Sequence, residues 1–407
     1  MMEGWKYIKL GEIIHIKHGY GFKGEYFVDE PNNNFLLTPG NFAIGGGFKS
    51  DKMKYYEGPI NDEFILSAGD VIVTMTDLSK QADTLGYSAK IPSDPENTYL
   101  HNQRLGLVSL KTNDFDIDYI YWLLRTQYYQ KYIAGSSSGA TVKHTSPKKI
   151  YSTKLLVPES KETQRKIASI LSAYDDLIEN NLKRIKLLEE KAQLTYEEWF
   201  VRMKFPGHET TPINKETGLP EGWELVKVEA LLAKLKSTKK IKSSEILESG
   251  STPVIDQSRD FIKGYTNEPD ALIDIDEPII VFGDHTRILK FIDFNFARGA
   301  DGTQLVLSKD PRMPQHLFYQ VLKGIDLSDY HYARHFKYLK DTEINICDEI
   351  TANHYEDFAA PLFKAIKQMR DQNKLLKEAR DILLPRLMTG MIDVEEMNLE
   401  TLRPSTA

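Results

Sequence analysis

Five consecutive residues, Gly283-Asp284-His285-Thr286-Arg287, follow a strand-like run and carry a carboxylate, an imidazole, a hydroxyl and a guanidinium. That is the donor and acceptor set that meets base edges and phosphates. A second stretch, Gly135 to Thr145, is rich in hydroxyls and enters a basic region: Lys131, Lys143, Lys148, Lys149 and Lys154 fall between 131 and 157 with no Asp or Glu among them. Lys234 to Ser244 holds five more lysines and no acid. Tyr330 to Lys340 alternates aromatic and cationic residues, as in surfaces that stack on bases and hold phosphates. Each stretch taken alone also reads as a solvated turn or charged face.

Other chemistry is less well supplied. Gly19-Tyr20-Gly21-Phe22-Lys23-Gly24 matches G-x-G-x-x-G after a strand-like run, yet residues 25–32 have no helical apolar period. Without a helix N-terminus to take a pyrophosphate, the motif reads as a turn. The pairs His15/His18 and His331/His335 have metal-compatible spacing on a helix but no recognisable companion ligands, so no metal is assigned. Cys347 ends a strand-like run with no activating neighbour and reads as a buried, inert thiol. The sequence contains no Walker A loop, no G-x-S-x-G elbow and no acidic pair spaced for glycosidase or nuclease work. No catalytic residue is assigned.

These residues must be positioned by more than one domain, because 407 residues imply two or three. With 41% hydrophobic and 27% charged residues the chain is globular, and a net charge of −7 argues against tight, unaided phosphate binding. A single cysteine, the absence of an apolar h-region near Met1, and apolar runs too short to span a bilayer point to the cytoplasm.

The chain repeats itself. Gly4-Trp5-Lys6-Tyr7-Ile8-Lys9-Leu10 is echoed by Gly222-Trp223-Glu224-Leu225-Val226-Lys227-Val228. Strand-like runs follow at 69–75 and 277–283, at 105–111 and 304–309, and at 154–157 and 343–346. Each half then enters a helical pattern. Leu171, Ile178, Ile185, Ala192 and Trp199 recur every seven residues, with Ile167, Tyr174, Asn181, Leu188 and Thr195 on a second seam position. Leu362, Ile366, Met369, Asn373, Leu376, Ala379 and Leu383 form the later stripe, with Pro361 and Pro385 near its ends. The expected fold is therefore α+β: two similar globular domains and two long helices in an antiparallel coiled coil, with a pseudo-two-fold repeat. The segments are 1–158, 159–204, 205–348 and 349–407. Because prolines disrupt helix interiors, the second helix is expected to start at Pro361, with Glu349 to Ala360 a separate turn. About 40 residues at 1.5 Å each give roughly 60 Å of helix, a length that suits a ruler.

In this order the motifs resemble the specificity subunits of type I restriction-modification systems. The resemblance is carried by Lys9-Leu10-Gly11-Glu12-Ile13 with Gly19 to Lys23, by Val157-Pro158 leading into Gln164 to Leu171, and by Asp175 to Asn181. Trp199-Phe200, Leu219-Pro220-Glu221-Gly222-Trp223, Gly283 to Arg287 with Asp301-Gly302-Thr303, and Leu383 to Gly390 complete it. The resemblance implies two target-recognition domains, each reading half of a bipartite DNA sequence, and helices that set the unread spacer. It also implies a non-catalytic chain that docks two DNA adenine methyltransferase subunits and, through them, the restriction subunits. S-adenosylmethionine, ATP and Mg are then expected on those partners, with none in this chain.

On that reading the loops at 76–81, 102–104, 136–149, 284–287, 301–304 and 331–340 contact double-stranded DNA. The residues assigned are Thr76, Lys80, Asn102, Gln103, Arg104, Ser136, Ser138, Thr141, Lys143, His144, Lys148 and Lys149 in the first half. Those in the second are Asp284, His285, Thr286, Arg287, Asp301, Thr303, Gln304, Tyr332, Arg334, His335 and Lys337. Arg104, Arg287 and Arg334 suit guanine or phosphate, and Asn102, Gln103 and Gln304 suit adenine. Leu171, Tyr174, Ile178, Asn181, Ile185 and Leu188 are assigned to helix pairing with Ile366, Met369, Asn373 and Leu376. The alternatives are a stand-alone DNA-processing enzyme and a coiled-coil adaptor with no DNA role.

Overall fold

The computed structural model describes residues 3–50, 53–79, 81–329, 334–395 and 397. It is α+β and duplicated, and the duplication is visible strand by strand. In the first half Trp5–Lys9 pairs antiparallel with Lys154–Pro158, Trp5 opposite Pro158 and Lys9 opposite Lys154. In the second, Glu224–Lys227 pairs the same way with Glu343–Ile346. Each half is thus closed by its first and last strands.

Inside the first half, the all-buried strand Val71–Thr74 lies between Leu105–Leu110 and Ser88–Lys90. A second sheet has Asn34–Leu36 parallel to Thr98–Leu100, which also pairs antiparallel with Ile65–Leu66. The second half repeats both arrangements. Ile279–Gly283, again buried throughout, lies between Thr303–Val306 and Leu289–Ile292, while Thr252–Ile255 runs parallel to Phe296–Arg298, itself antiparallel to Leu272–Ile273. Strands buried on both faces read as continuous apolar runs, which is why Val-Ile-Val and Ile-Ile-Val-Phe lack alternation. A helix follows the sheet in each half, at Ile117–Leu123 and Gln315–Lys323. The first is started by Asp116, whose carboxylate accepts from the amides of Asp118 and Tyr119.

Two long helices complete the chain: Lys161–Tyr196, continued by a π-helical turn at Glu197–Val201, and Glu349–Met388. The second corrects the sequence expectation, for Pro361 and Pro385 both lie inside a continuous 40-residue helix. Proline in a helix interior costs about 3 kcal/mol through a missing hydrogen bond and a clash. Here the face around Pro361 outweighs that cost, because Ala352, Tyr355, Ala359 and Phe363 are all buried in one apolar cluster. Pro361 itself is exposed. Pro361→Ala, which restores a donor without disturbing the core, should raise stability by about 1–3 kcal/mol in urea unfolding.

The chain forms two compact units, residues 1–179 with 373–407 and residues 180–372. The divisions fall inside the long helices rather than at their ends. In the first unit Ile167, Leu171, Leu384, Leu387 and Met388 share a core with Leu10, Tyr119 and Trp122. The Asn373 amide donates to the Ile178 carbonyl at 3.5 Å, and Asp175 meets Arg380. In the second unit Ile185 packs with Ile366 and Met369, Asn181 donates to Gln372 at 3.0 Å, and Arg370 meets Glu189. Rising numbers on one helix meet falling numbers on the other in both units, so the segments run antiparallel. Leu171, Ile178, Asn181, Ile185, Ile366, Met369 and Asn373 are buried, with Tyr174, Leu188 and Leu376 half-buried. No described helix is long and apolar enough to cross a membrane.

Candidate nucleic-acid interface

In the first half three loops meet at Met75, the residue after the buried strand Val71–Thr74. Its amide donates to Arg104 O at 2.9 Å, and its carbonyl accepts from Thr145 N at 3.0 Å. Loops 102–104 and 136–149 are thereby tied to the segment beginning at Thr76. Lys143–His144 also pairs antiparallel with Thr76–Asp77. The hydroxyl-rich loop closes through Ser138 and His144, which exchange both backbone hydrogen bonds. Gly139 makes this closure possible: its φ is +99°, and a Cβ there would lie 2.0 Å from Val142 O.

The second half is built the same way around Asp284, the residue after Ile279–Gly283. Its amide donates to Gly302 O at 2.7 Å, and its carbonyl accepts from His335 N at 3.0 Å. Met75 and Asp284 are equivalent hubs. Arg287, in the same loop, has a left-handed φ of +60° and donates from its guanidinium to Leu327 O.

The glycine-rich turn serves the first loop set. Tyr20 N donates to His101 O and Gln103 N to Tyr20 O, while a Cβ on Gly19 would lie 2.3 Å from Asn102 O. Gly24–Tyr26 then forms a single 3₁₀ turn, so no helix N-terminus is offered to a phosphate. His101 behind this turn is buried, with Nε2 on Leu105 O at 3.1 Å. Burial is the main cause that pushes its pKa down to about 4. The native state therefore favours neutral His101, and its contribution is present above the unfolded value near 6.5 and lost as pH falls toward 4. Urea unfolding should show up to about 3 kcal/mol lost over that window, a component missing from His101→Gln.

The assigned residues divide by burial. Gln103, Arg104, Ser138, Thr141, His144, Lys148, His285, Thr286, Arg287, Asp301, Arg334 and Lys337 are exposed, while Asn102, Ser136, Lys143, Lys149 and Gln304 are half-buried. Thr76, Asp284, Thr303 and His335, assigned to the same contact, are buried. Thr76 Oγ1 lies 3.2 Å from His144 Nδ1, and the Asp284 carboxylate accepts from Phe336 N at 2.9 Å. His335 Nδ1 lies 2.9 Å from Asp284 O. Their polar groups are engaged inside the loops. Lys149 donates to Ser136 O. Lys80 and Tyr332, together with His331, lie outside the described residues.

Several organising residues carried no clear mark in the sequence. The Asp77 carboxylate accepts from Ser79 N and Thr84 N at 2.6 Å each and from the Thr84 hydroxyl at 2.7 Å. Burial raises its pKa, but these donors outweigh burial and hold it below the usual carboxylate range. The aspartate-to-serine spacing at 77 and 79 is an Asx-turn signal that would have located it. Arg298, half-buried, donates to Thr303 O and Gln304 Oε1 and so fixes the 303–304 strand end. Cys347 is buried, and burial pushes its thiol up to about 12. His15 and His18 lie on a strand, Ile14–His18, rather than a helix, and no cluster of three metal-ligating residues occurs among the described residues.

These features define a duplicated α+β protein that presents one loop cluster per half, each half leading into a long helix. Comparison with known proteins shows what the chain is similar to. Residues 2–190 match the type I restriction modification DNA specificity domain. The chain is 22% identical to the type I restriction enzyme MjaVIII specificity subunit of Methanocaldococcus jannaschii, over 97% of this chain and 95% of that protein. It is 27% identical to the MjaIX specificity subunit of the same organism, over 69% of this chain and 70% of the relative. The crystal structure of a type I restriction-modification system S subunit from M. genitalium shares the fold, with a TM-score of 0.57 at 16% identity, covering 94% of this chain and 96% of that one. The resemblance read from the sequence is borne out: this chain is related to type I restriction-modification specificity subunits.

Proposed function

We propose that the chain is the DNA-reading, non-catalytic subunit of a type I restriction-modification complex, with one half of a bipartite target read by each loop cluster. The observation that carries this reading is the equivalence of Met75 and Asp284. Two hubs at the same place in two copies of one fold gather two sets of loops whose side chains differ, as two different half-sites require. The long helices set the unread spacer and dock two adenine methyltransferase subunits, through which the restriction subunits join. S-adenosylmethionine, ATP and Mg belong to those partners. The net charge of −7 fits a reader whose partners supply much of the positive surface around the duplex.

The test is to assemble the chain with its methyltransferase subunits and map methylated adenines in random-sequence DNA. A motif of two short blocks at fixed spacing is expected, and a single contiguous motif or none would refute the reading. Arg287→Ala is expected to alter one block only, and Lys148→Ala to weaken binding to all sequences alike.

A further inference from the structure

We propose that a loop not identified from the sequence, Asp256 to Asp260, is a base-reading element of the second half, and that the Gln257 side-chain amide makes the contact. The inference rests on the functional reading above and names one site within it. The loop follows the buried end of Thr252–Ile255 and is braced on three sides. Lys290, a buried lysine, donates to Asp256 O at 2.7 Å and Asp260 O at 2.6 Å. The Thr286 hydroxyl donates to Gln257 O at 2.7 Å, and Gly299 packs so closely that a Cβ there would lie 2.7 Å from that of Asp256.

Gln257 itself is oriented by its partner. His285 N–H donates to the Gln257 amide at 3.0 Å, and only the oxygen of an amide can accept. The nitrogen is therefore turned away from His285, and it has no hydrogen-bond partner among the described residues. Gly302, at φ +59°, leaves room beside it, for a Cβ there would approach this nitrogen to 2.6 Å. The side chain borders a cavity of about 210 Å³ shared with Ser243, Asp256 and Asp301.

The surroundings supply charge as well. Ile241 N donates to Arg298 O and Ala300 N to Ile241 O, which pins the lysine-rich stretch against this cavity, with exposed Lys240 and Lys242 on either side of Ile241. Arg259 is exposed at the loop's tip. Asp256 is engaged by Lys290 and Ser258, leaving Asp301 as the exposed carboxylate of the cavity. An oriented amide nitrogen flanked by cations suits a base edge that offers acceptors, namely guanine O6 or N7, adenine N7 or thymine O4, with the lysines on phosphate.

The experiment uses Gln257→Glu in the assembled methyltransferase complex. Glutamate keeps an oxygen for His285 N–H but replaces the donor by an acceptor, so a merely bracing residue tolerates it. The expected result is a change at one position of one block, with preference for the parent base reduced about tenfold or more, while the other block and the melting temperature stay as in the parent. An unchanged motif at unchanged rate would overturn the proposal, as would loss of both blocks with a lowered melting temperature. A parent complex lacking a two-block motif would remove the underlying reading, and this proposal with it. Lys242→Ala, the companion variant, is expected to leave the motif intact and reduce the salt slope of binding by about one.

Discussion

Asp175→Asn should destabilise the first compact unit by about 3–5 kcal/mol, read as a lower urea midpoint. Asp175 lies between two arginines: Arg125 Nη1 reaches one carboxylate oxygen at 2.6 Å, and Arg380 Nη1 reaches the other at 2.5 Å. The Arg125 side chain is only 3% exposed, with its guanidinium 4.2 Å from the Trp122 ring centroid. It also donates to Gly45 O and the Tyr121 hydroxyl, and the glycines at 45 to 47, all with positive φ, close over it. A Cβ on Gly46 would lie 2.6 Å from Arg125 Cγ. Without the carboxylate a buried cation loses its counter-charge, whereas Arg380 keeps Asp381. Asp175 is 29% exposed, which places the effect toward the lower end of the range. Replacing Arg125 by Met and Asp175 by Leu together should recover most of the loss. A single variant as stable as the parent would mean that Gly45 and Tyr121 hold Arg125 unaided.

Phe363→Ala should cost the second unit about 3–5 kcal/mol by the same measurement. Phe363 is 7% exposed and joins the second long helix to the sheet of its unit. Its ring centroid lies 4.7 Å from Phe291, 4.8 Å from His316 and 6.0 Å from Tyr319. Truncation removes these contacts and leaves a cavity that a helix anchored at Tyr355 and Ile366 on either side cannot close. Two residues away, Pro361→Ala is expected to act in the opposite direction. The pair tests whether packing on this face is what carries the helix through its proline.

The duplication and the helical seams were legible in the sequence because both rest on periodic burial. Val71 to Thr74, Ile279 to Gly283 and the sevenfold spacing from Leu171 to Ala192 record which faces are dry. Pro361 misled because local propensity is a weaker term than the burial of Tyr355, Ala359 and Phe363 around it. The loops were harder. Asp284 and His335 are polar residues in a polar neighbourhood, and composition does not say that one accepts hydrogen bonds from the other. Gln257 escaped notice for the related reason that its orientation is set by His285, which lies 28 residues away.

Each half enters and leaves its sheet on neighbouring strands, Trp5–Lys9 beside Lys154–Pro158 and Glu224–Lys227 beside Glu343–Ile346. Because the two ends of such an insert lie side by side, the whole of it is a cassette. Recombination that cuts at these strand pairs can transplant a foreign loop set while the sequence of both helices stays as it was. Under the proposed function, one such exchange would replace the preference of one half and leave that of the other as it was.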